Sequence, residues 1–105
     1  MIVSEVNDKF GRKITLTKEK QIHIISRTEM KGQESRVKQT LTEPDEVRES
    51  LKDKTVFLYY RLYKKTPVTQ KYMLVAVKVL NKEGHIITAF YTDRIKKGEL
   101  IWKKD

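Results

Sequence analysis

The sequence predicts an α+β domain, with two N-terminal helices packed on a four-stranded antiparallel sheet and a short extra strand at the N-terminus. Three observations lead there. Apolar residues recur at helical spacing between Lys18 and Leu51, side chains alternate with period two from Thr55 onward, and short turns separate the later strands. Helices followed by a run of strands define that class. At 105 residues the chain is expected to form one domain over 1–105, with a helical half at about 17–52 and a sheet half at about 54–104.

The elements follow in order. "GRKITLT" alternates Ile14 and Leu16 with polar residues, then reaches Thr17, a good N-cap for the helical "KEKQIHIISR". That helix would turn Ile22, Ile25 and Met30 to the core and stop by Gly32. A second helix from Glu34 through Leu41 would bury Val37 and Leu41. In "TEPDEV", Pro44 suits the first position of a further helical turn carrying Val47 and Leu51.

The period then changes. "TVFLYYRLY", "KYMLVAVKVL", "HIITAFYT" and the shorter "ELIWKK" read as four consecutive strands. In "NKEGH", a three-residue loop would pair Asn81 with His85 and set Lys78 opposite Thr88 and Val77 opposite Ala89. Val75, Val77, Val79, Ile87, Ala89 and Tyr91 would then face the helices, with Lys78, Thr88, Phe90 and Thr92 on the other side. A one-residue slip would reverse the third strand's faces.

The formal net charge is +9, and it is unevenly placed. Residues 1–53 hold 11 Lys and Arg against 10 Asp and Glu, whereas residues 54–105 hold 12 against 4, so nearly all the excess sits in the second half. A one-signed patch concentrates phosphate-bearing ligands, although a lysine-coated surface that merely keeps the protein soluble would have similar composition. No cysteine is present, which excludes disulfides, thiolate metal sites and cysteine nucleophiles. No apolar run approaches the roughly 18 residues of a membrane span, so a cytoplasmic protein with no membrane partner is expected.

Candidate chemistry is narrowed by what is missing. There is no His-x-x-x-His pair, no carboxylate cluster at a strand end and no glycine-rich phosphate loop, so no metal site or cofactor is predicted. His85 follows a turn glycine, where exposure is the simpler expectation. His23 is the sharpest candidate, because an imidazole titrates near pH ~6.5 and can both accept and donate protons. Its plainer alternative is a boundary histidine that packs its ring. Arg27, one turn on, would hold a phosphate through its planar fork.

Metal-free cleavage of RNA needs a base for the 2′-hydroxyl, an acid for the leaving 5′-oxygen and cations for the phosphorane-like charge. His23, Arg27, Arg61, Lys78, Thr88 and Tyr91 are the residues assigned to that work. Tyr59, Tyr63, Lys64 and Lys65 would bind RNA through stacking rings and phosphate contacts. Tyrosine and threonine are also ordinary strand formers, and edge lysines discourage aggregation.

The order "GRKITLT", "HIISR", "EPDEVRES", "YYRLY", "VAVKVL" and "IITAFYT" resembles small phage- and toxin-associated domains of the Barnase–EndoU–Colicin–RelE superfamily of RNases, over Phe10 to Lys103. The resemblance implies two helices before a four-stranded antiparallel sheet, and metal-independent RNA cleavage. His23 corresponds to the first histidine of a helix motif that usually reads His-Ile-x-x-Arg-His-Pro-Glu. Here Thr28 and Glu29 follow Arg27, so the second histidine and the proline are absent. Two readings stay open at this point: a metal-independent endoribonuclease, such as the toxin of a toxin–antitoxin pair with an acidic antitoxin as partner, or a weakened or inactive module of the same fold that binds RNA or a partner protein.

Overall fold

The computed structural model describes residues 1–69, 71–96 and 98–105. Its strands are β1 (Ile2–Asn7), β2 (Lys13–Thr17), β3 (Glu46–Ser50), β4 (Val56–Tyr63), β5 (Lys71–Leu80), β6 (Glu83–Thr92) and β7 (Gly98–Lys103). The helices are α1 (Lys18–Ile25) and α2 (Glu34–Thr42), with a 3₁₀ turn at Thr28–Met30 between them. These strands form one sheet in the order β1-β2-β6-β5-β4-β3-β7. β2 pairs with β6 in parallel, and the other described pairs are antiparallel.

The expected two helices on a four-stranded antiparallel sheet are therefore corrected to a seven-stranded mixed sheet that carries two helices. Two segments account for the difference. β1 forms a hairpin with β2, whose other edge docks on β6 through Lys13–Glu83, Ile14–Gly84 and Thr15–His85. Glu46–Ser50, expected as a helical turn, is instead strand β3 between β4 and β7. Val47 and Leu51 are spaced like a helical face, but Val47 packs opposite Tyr59 in the core and Leu51 stays 72% exposed. Ladder bonds on both sides outweigh a weak local preference.

Both helices cover one face of the sheet. Thr17 caps α1 by accepting a bond from the Lys20 N–H at 3.3 Å, and Ile24 is the residue that α1 buries. Ile22, expected in the core, is 55% exposed, because the helix is rotated so that Ile24 meets Leu16 and Ile86. α2 buries Val37 and Leu41 as its spacing predicts. Below them lie Phe57, Tyr59, Met73, Val75, Val77, Ile86 and Ala89.

The β5–β6 turn is tighter than expected. Leu80 pairs with Glu83 across a two-residue turn, with Asn81 at φ 59°. Lys78 therefore opposes His85 rather than Thr88, and Val77 opposes Ile86 rather than Ala89. A bulge at Ile87 then restores phase, so that Thr88 pairs with Ala76, Ala89 with Val75 and Tyr91 with Met73. Ile86 takes the core position expected for Ile87, while Lys78, Thr88, Phe90 and Thr92 keep their common face. Gly84 permits this arrangement: a Cβ there would meet the Lys78 carbonyl oxygen and Val77 Cγ1, each at 2.9 Å, and Ile14 Cδ1 at 3.0 Å.

β7 lies beside β3 at the far edge, not beside β6. On the face without helices, the Lys96 N–H, beyond the end of β6, donates to the Tyr60 hydroxyl at 3.1 Å and Arg48 Nη1 donates to the Gly98 carbonyl at 2.9 Å.

Candidate active site

Pairing across β4, β5 and β6 sorts the polar side chains by face, since residues directly opposite in a ladder share a side. On the helix-free face, Lys78 stands beside His85, Thr88 lies a diagonal step away next to Ala76, and Phe90 follows opposite Leu74. Phe90 receives two cations: Arg27 Cζ lies 4.7 Å and Lys96 Nζ 5.3 Å from its ring centroid. The result is a strip with an ammonium and an imidazole at one end, a hydroxyl in the middle, and an aromatic ring under two cations at the other. Four residue steps along β5, from Leu74 to Lys78, set its length at roughly 13 Å.

Two features of the strip bear on chemistry. Lys78 Nζ donates to Asp53 Oδ2 at 2.9 Å, and the Thr55 hydroxyl, together with that ammonium, holds the Asp53 carboxyl well below the usual carboxylate range. The pair fixes where the lysine charge stands. Thr88 Oγ1, in contrast, is buried with no hydrogen-bond partner. Such a group is uncommon in a folded protein and marks a place where a ligand or water can be accepted.

The sequence-predicted residues divide between the two faces. Arg27, Lys78 and Thr88 belong to the strip. His23 is exposed in the last turn of α1, four residues before Arg27. Arg61 and Tyr91 flank Met73 on the opposite, helix-covered face, so neither shares a phosphate with Lys78 or Thr88. Arg61 Nη1 donates to the Glu43 carbonyl at 2.6 Å, and the Tyr91 hydroxyl donates to Gln33. Tyr63 is on that same face, half-buried, and donates to Gln39 Oε1 at 2.6 Å. Lys64 and Lys65 are exposed beyond the end of β4.

Tyr59, expected to stack on RNA, is fully buried and unavailable to it. Its hydroxyl donates to the Asp8 carboxylate, which also accepts from the backbone N–H groups of Phe10 at 2.9 Å and Arg12 at 2.8 Å. Burial, then the Asp8 bond, pushes the Tyr59 phenol far above its ordinary value. This network ties the β1–β2 hairpin to the centre of the sheet.

Sequence reasoning put Phe90 on this face without giving it a role, and missed His85 and Lys96 as members of the strip. His85 was legible only through the register, and the turn that sets it uses Asn81-Lys82 in place of the Asn-Gly that marks such turns most clearly. A partly open hollow of about 150 Å³ also exists between the helices and β1, lined mainly by apolar side chains such as Val6, Ile24, Met30, Val37, Leu41 and Ile86. It is a gap in the packing of the helix layer, on the other face of the sheet from the strip. Among the described residues, no group of three or more His, Cys, Asp or Glu is placed to hold a metal ion.

A sheet face that offers cations, an unpartnered hydroxyl and an aromatic platform defines a domain suited to nucleic acid. The chain belongs to the family described as phage-Barnase-EndoU-ColicinE5/D-RelE like nuclease2, whose model matches residues 3–103. It is thus a nuclease-family domain, and nucleic acid is the substrate class that membership implies. No curated protein and no solved structure matches the chain. Among the described residues, no helix is long and apolar enough to cross a membrane.

Proposed function

We propose that the chain is a metal-independent endoribonuclease domain that cleaves RNA on the helix-free face of its sheet. The observation that carries this reading is the strip itself, which collects Arg27, Lys78 and the unpartnered Thr88 hydroxyl on one surface of a nuclease-family fold. An RNA strand laid along it meets positive charge at both ends and a ring on which a base can stack.

In the reaction, the 2′-oxygen attacks the adjacent phosphorus and the bond to the 5′-oxygen breaks, leaving a 2′,3′-cyclic phosphate and a 5′-hydroxyl. One imidazole removes the 2′ proton and another group returns a proton to the 5′-oxygen. His23, from the end of α1, and His85, from β6, are the two imidazoles assigned to these transfers. Lys78 neutralises the phosphorane-like charge, Arg27 at the other end of the strip holds a neighbouring phosphate of the same strand, and the Thr88 hydroxyl donates to a non-bridging oxygen. His85 would do the work for which the helix motif of the resemblance supplies a second histidine after Arg27.

Incubating the protein with total RNA in EDTA tests the reading. Cleavage should persist without divalent metal, yield cyclic-phosphate ends, and fall about 10²-fold or more in His23→Ala or His85→Ala, the lower end of what a proton-transfer group contributes. RNA left intact at large protein excess would contradict it. A second reading, a binding module without activity, is favoured by one feature: His23 is exposed, with Thr28 after Arg27 where the motif has its second histidine. Binding without cleavage would select it. A toxin role with an acidic protein as neutralising partner rests on the +9 charge, which favours such a complex electrostatically. Expression should then arrest growth in the wild type and not in Lys78→Met.

A further inference from the structure

The helix-covered face carries a second polar cluster that the reaction does not use. Two guanidinium groups stand near the Tyr63 ring, with Arg36 Cζ 4.5 Å and Arg61 Cζ 5.7 Å from its centroid. Arg36 Nη1 also donates to the Tyr91 hydroxyl at 3.3 Å, so the arginine of α2 spans β5 to touch residues on β4 and β6. Arg61 closes the C-terminal end of α2 through its bond to Glu43, yet its Nε is buried with no partner. The ion pairs formed by the described residues involve Arg12, Lys13, Arg48, Lys71 and Lys78, and neither Arg36 nor Arg61.

Helix capping explains one of Arg61's donors. It does not explain two like charges gathered on one ring with no carboxylate between them, nor a buried guanidinium N–H left without an acceptor. Both are resolved by an anion with several oxygens, and planar forks favour phosphate over a single point of charge. The cluster also has a route to the other face. It lies at the end of the sheet where β4 stops at Tyr63 and β6 stops at Thr92; the loops there carry Lys64 and Lys65 on one side and Arg94 and Lys96 on the other, all exposed. Lys96 already belongs to the strip.

We propose that Arg36 and Arg61, oriented by Tyr63 and Tyr91, form a separate phosphate-binding site that grips the RNA backbone beyond the cleaved linkage after the strand rounds the basic end of the sheet. The identity of the polymer rests on the proposed function, whereas the site itself does not require cleavage.

The test is binding of a single-stranded RNA oligonucleotide, long enough to pass both faces, measured by fluorescence anisotropy over a range of salt. Arg36→Gln/Arg61→Gln should reduce the magnitude of the log-log salt slope by at least about 0.7, the contribution of one phosphate contact on a single strand. Lys18→Gln/Lys20→Gln on α1, which removes the same charge elsewhere, should reduce it less. Because the sites are on opposite faces, the loss should recur undiminished in a Lys78→Met background. Arg36→Lys/Arg61→Lys, which keeps charge and discards the forks, guards against misfolding: it should retain the melting temperature while still weakening binding. The Arg61 Nε–H resonance of the unsubstituted protein should also shift on titration with inorganic phosphate.

An unchanged slope, a loss matched by the α1 control, a loss that vanishes in the Lys78→Met background, or a wild type that does not bind RNA would each overturn the site. RNA that is bound with the predicted slope change but never cleaved would uphold the site and overturn the nuclease reading.

Discussion

The tyrosine hydroxyls on the helix-covered face of the central sheet and the Thr88 hydroxyl on the helix-free face are in different states. On the face under the helices, the tyrosines are already committed: Tyr59 donates to Asp8, Tyr63 to Gln39 and Tyr91 to Gln33. On the helix-free face, Thr88 Oγ1 has no partner, and Arg27 and Lys96 rest on Phe90 rather than on a carboxylate. A satisfied polar group has spent its bonding capacity on the fold, while an unsatisfied one retains it for a ligand. Lys78 is intermediate, because its bond to Asp53 fixes the ammonium without burying it. The comparison teaches that residue type alone does not separate a hydroxyl the fold has used, such as that of Tyr59, from one left free, such as that of Thr88; the presence of a partner does.

The contrast can be broken from either side. The largest effect should come from Tyr59→Ala, which empties a fully buried site and strips Asp8 of a partner; a loss of about 3–5 kcal/mol by urea unfolding is expected. Tyr59→Phe should cost less, about 1–3 kcal/mol, since only the hydroxyl goes. A near-neutral Tyr59→Ala would show that the Tyr59 ring and its bond to Asp8 do not hold the fold together.

On the other face, Thr88→Val should lower RNA cleavage by about tenfold to a hundredfold while leaving unfolding free energy within ~1 kcal/mol, because the removed hydroxyl bonds nothing in the fold. Equal losses in both quantities would erase the distinction. Gly84→Ala sharpens it in another way. The added Cβ would press on the Lys78 carbonyl and Val77 Cγ1, costing about 1–3 kcal/mol by overpacking, and would shift the β-ladder that sets His85 beside Lys78.

The smallest effect is alkaline. Burial raises the phenol pKa of Tyr59, Tyr60 and Tyr63 in the folded protein. A raised folded-state pKa means that the unfolded chain releases its proton first, so the stability is complete below the ordinary tyrosine value near pH ~10 and is lost as pH rises beyond it. Denaturation midpoints should be flat on this account up to about pH 10 and fall above it, with a shallower fall in Tyr59→Phe. A midpoint indifferent to pH above 10 would contradict the burial of these hydroxyls.

Much of the architecture was legible because it is local. Thr17 as a cap, the Val37 and Leu41 stripe of α2, and the alternation of β4, β5 and β6 are all signals between near neighbours, and each appears where its spacing predicts. The strip's side of the sheet was legible too, since Lys78, Thr88 and Phe90 do share a face. What failed is non-local. β3 owes its extended form to partners on β4 and β7, and the parallel β2–β6 pair joins segments separated by more than 60 residues of intervening chain. The β5–β6 turn put Tyr91 under the helices and Lys78 on the other side, as found, but nothing local set β4 against β5, so the face of Arg61 relative to Lys78 was not legible. Tyr59 met its partner Asp8 from 51 positions away, beyond any window of periodicity.

The most direct test of the account sets one residue of each face against the other in the same reaction. Cleavage of a defined RNA in EDTA, compared as kcat/KM for Lys78→Met and Tyr91→Phe, should show the Lys78 variant losing at least about tenfold more, equivalent to ~1.4 kcal/mol of transition-state stabilisation. Equal losses, or a larger loss in Tyr91→Phe, would move the cleaving surface under the helices and contradict it.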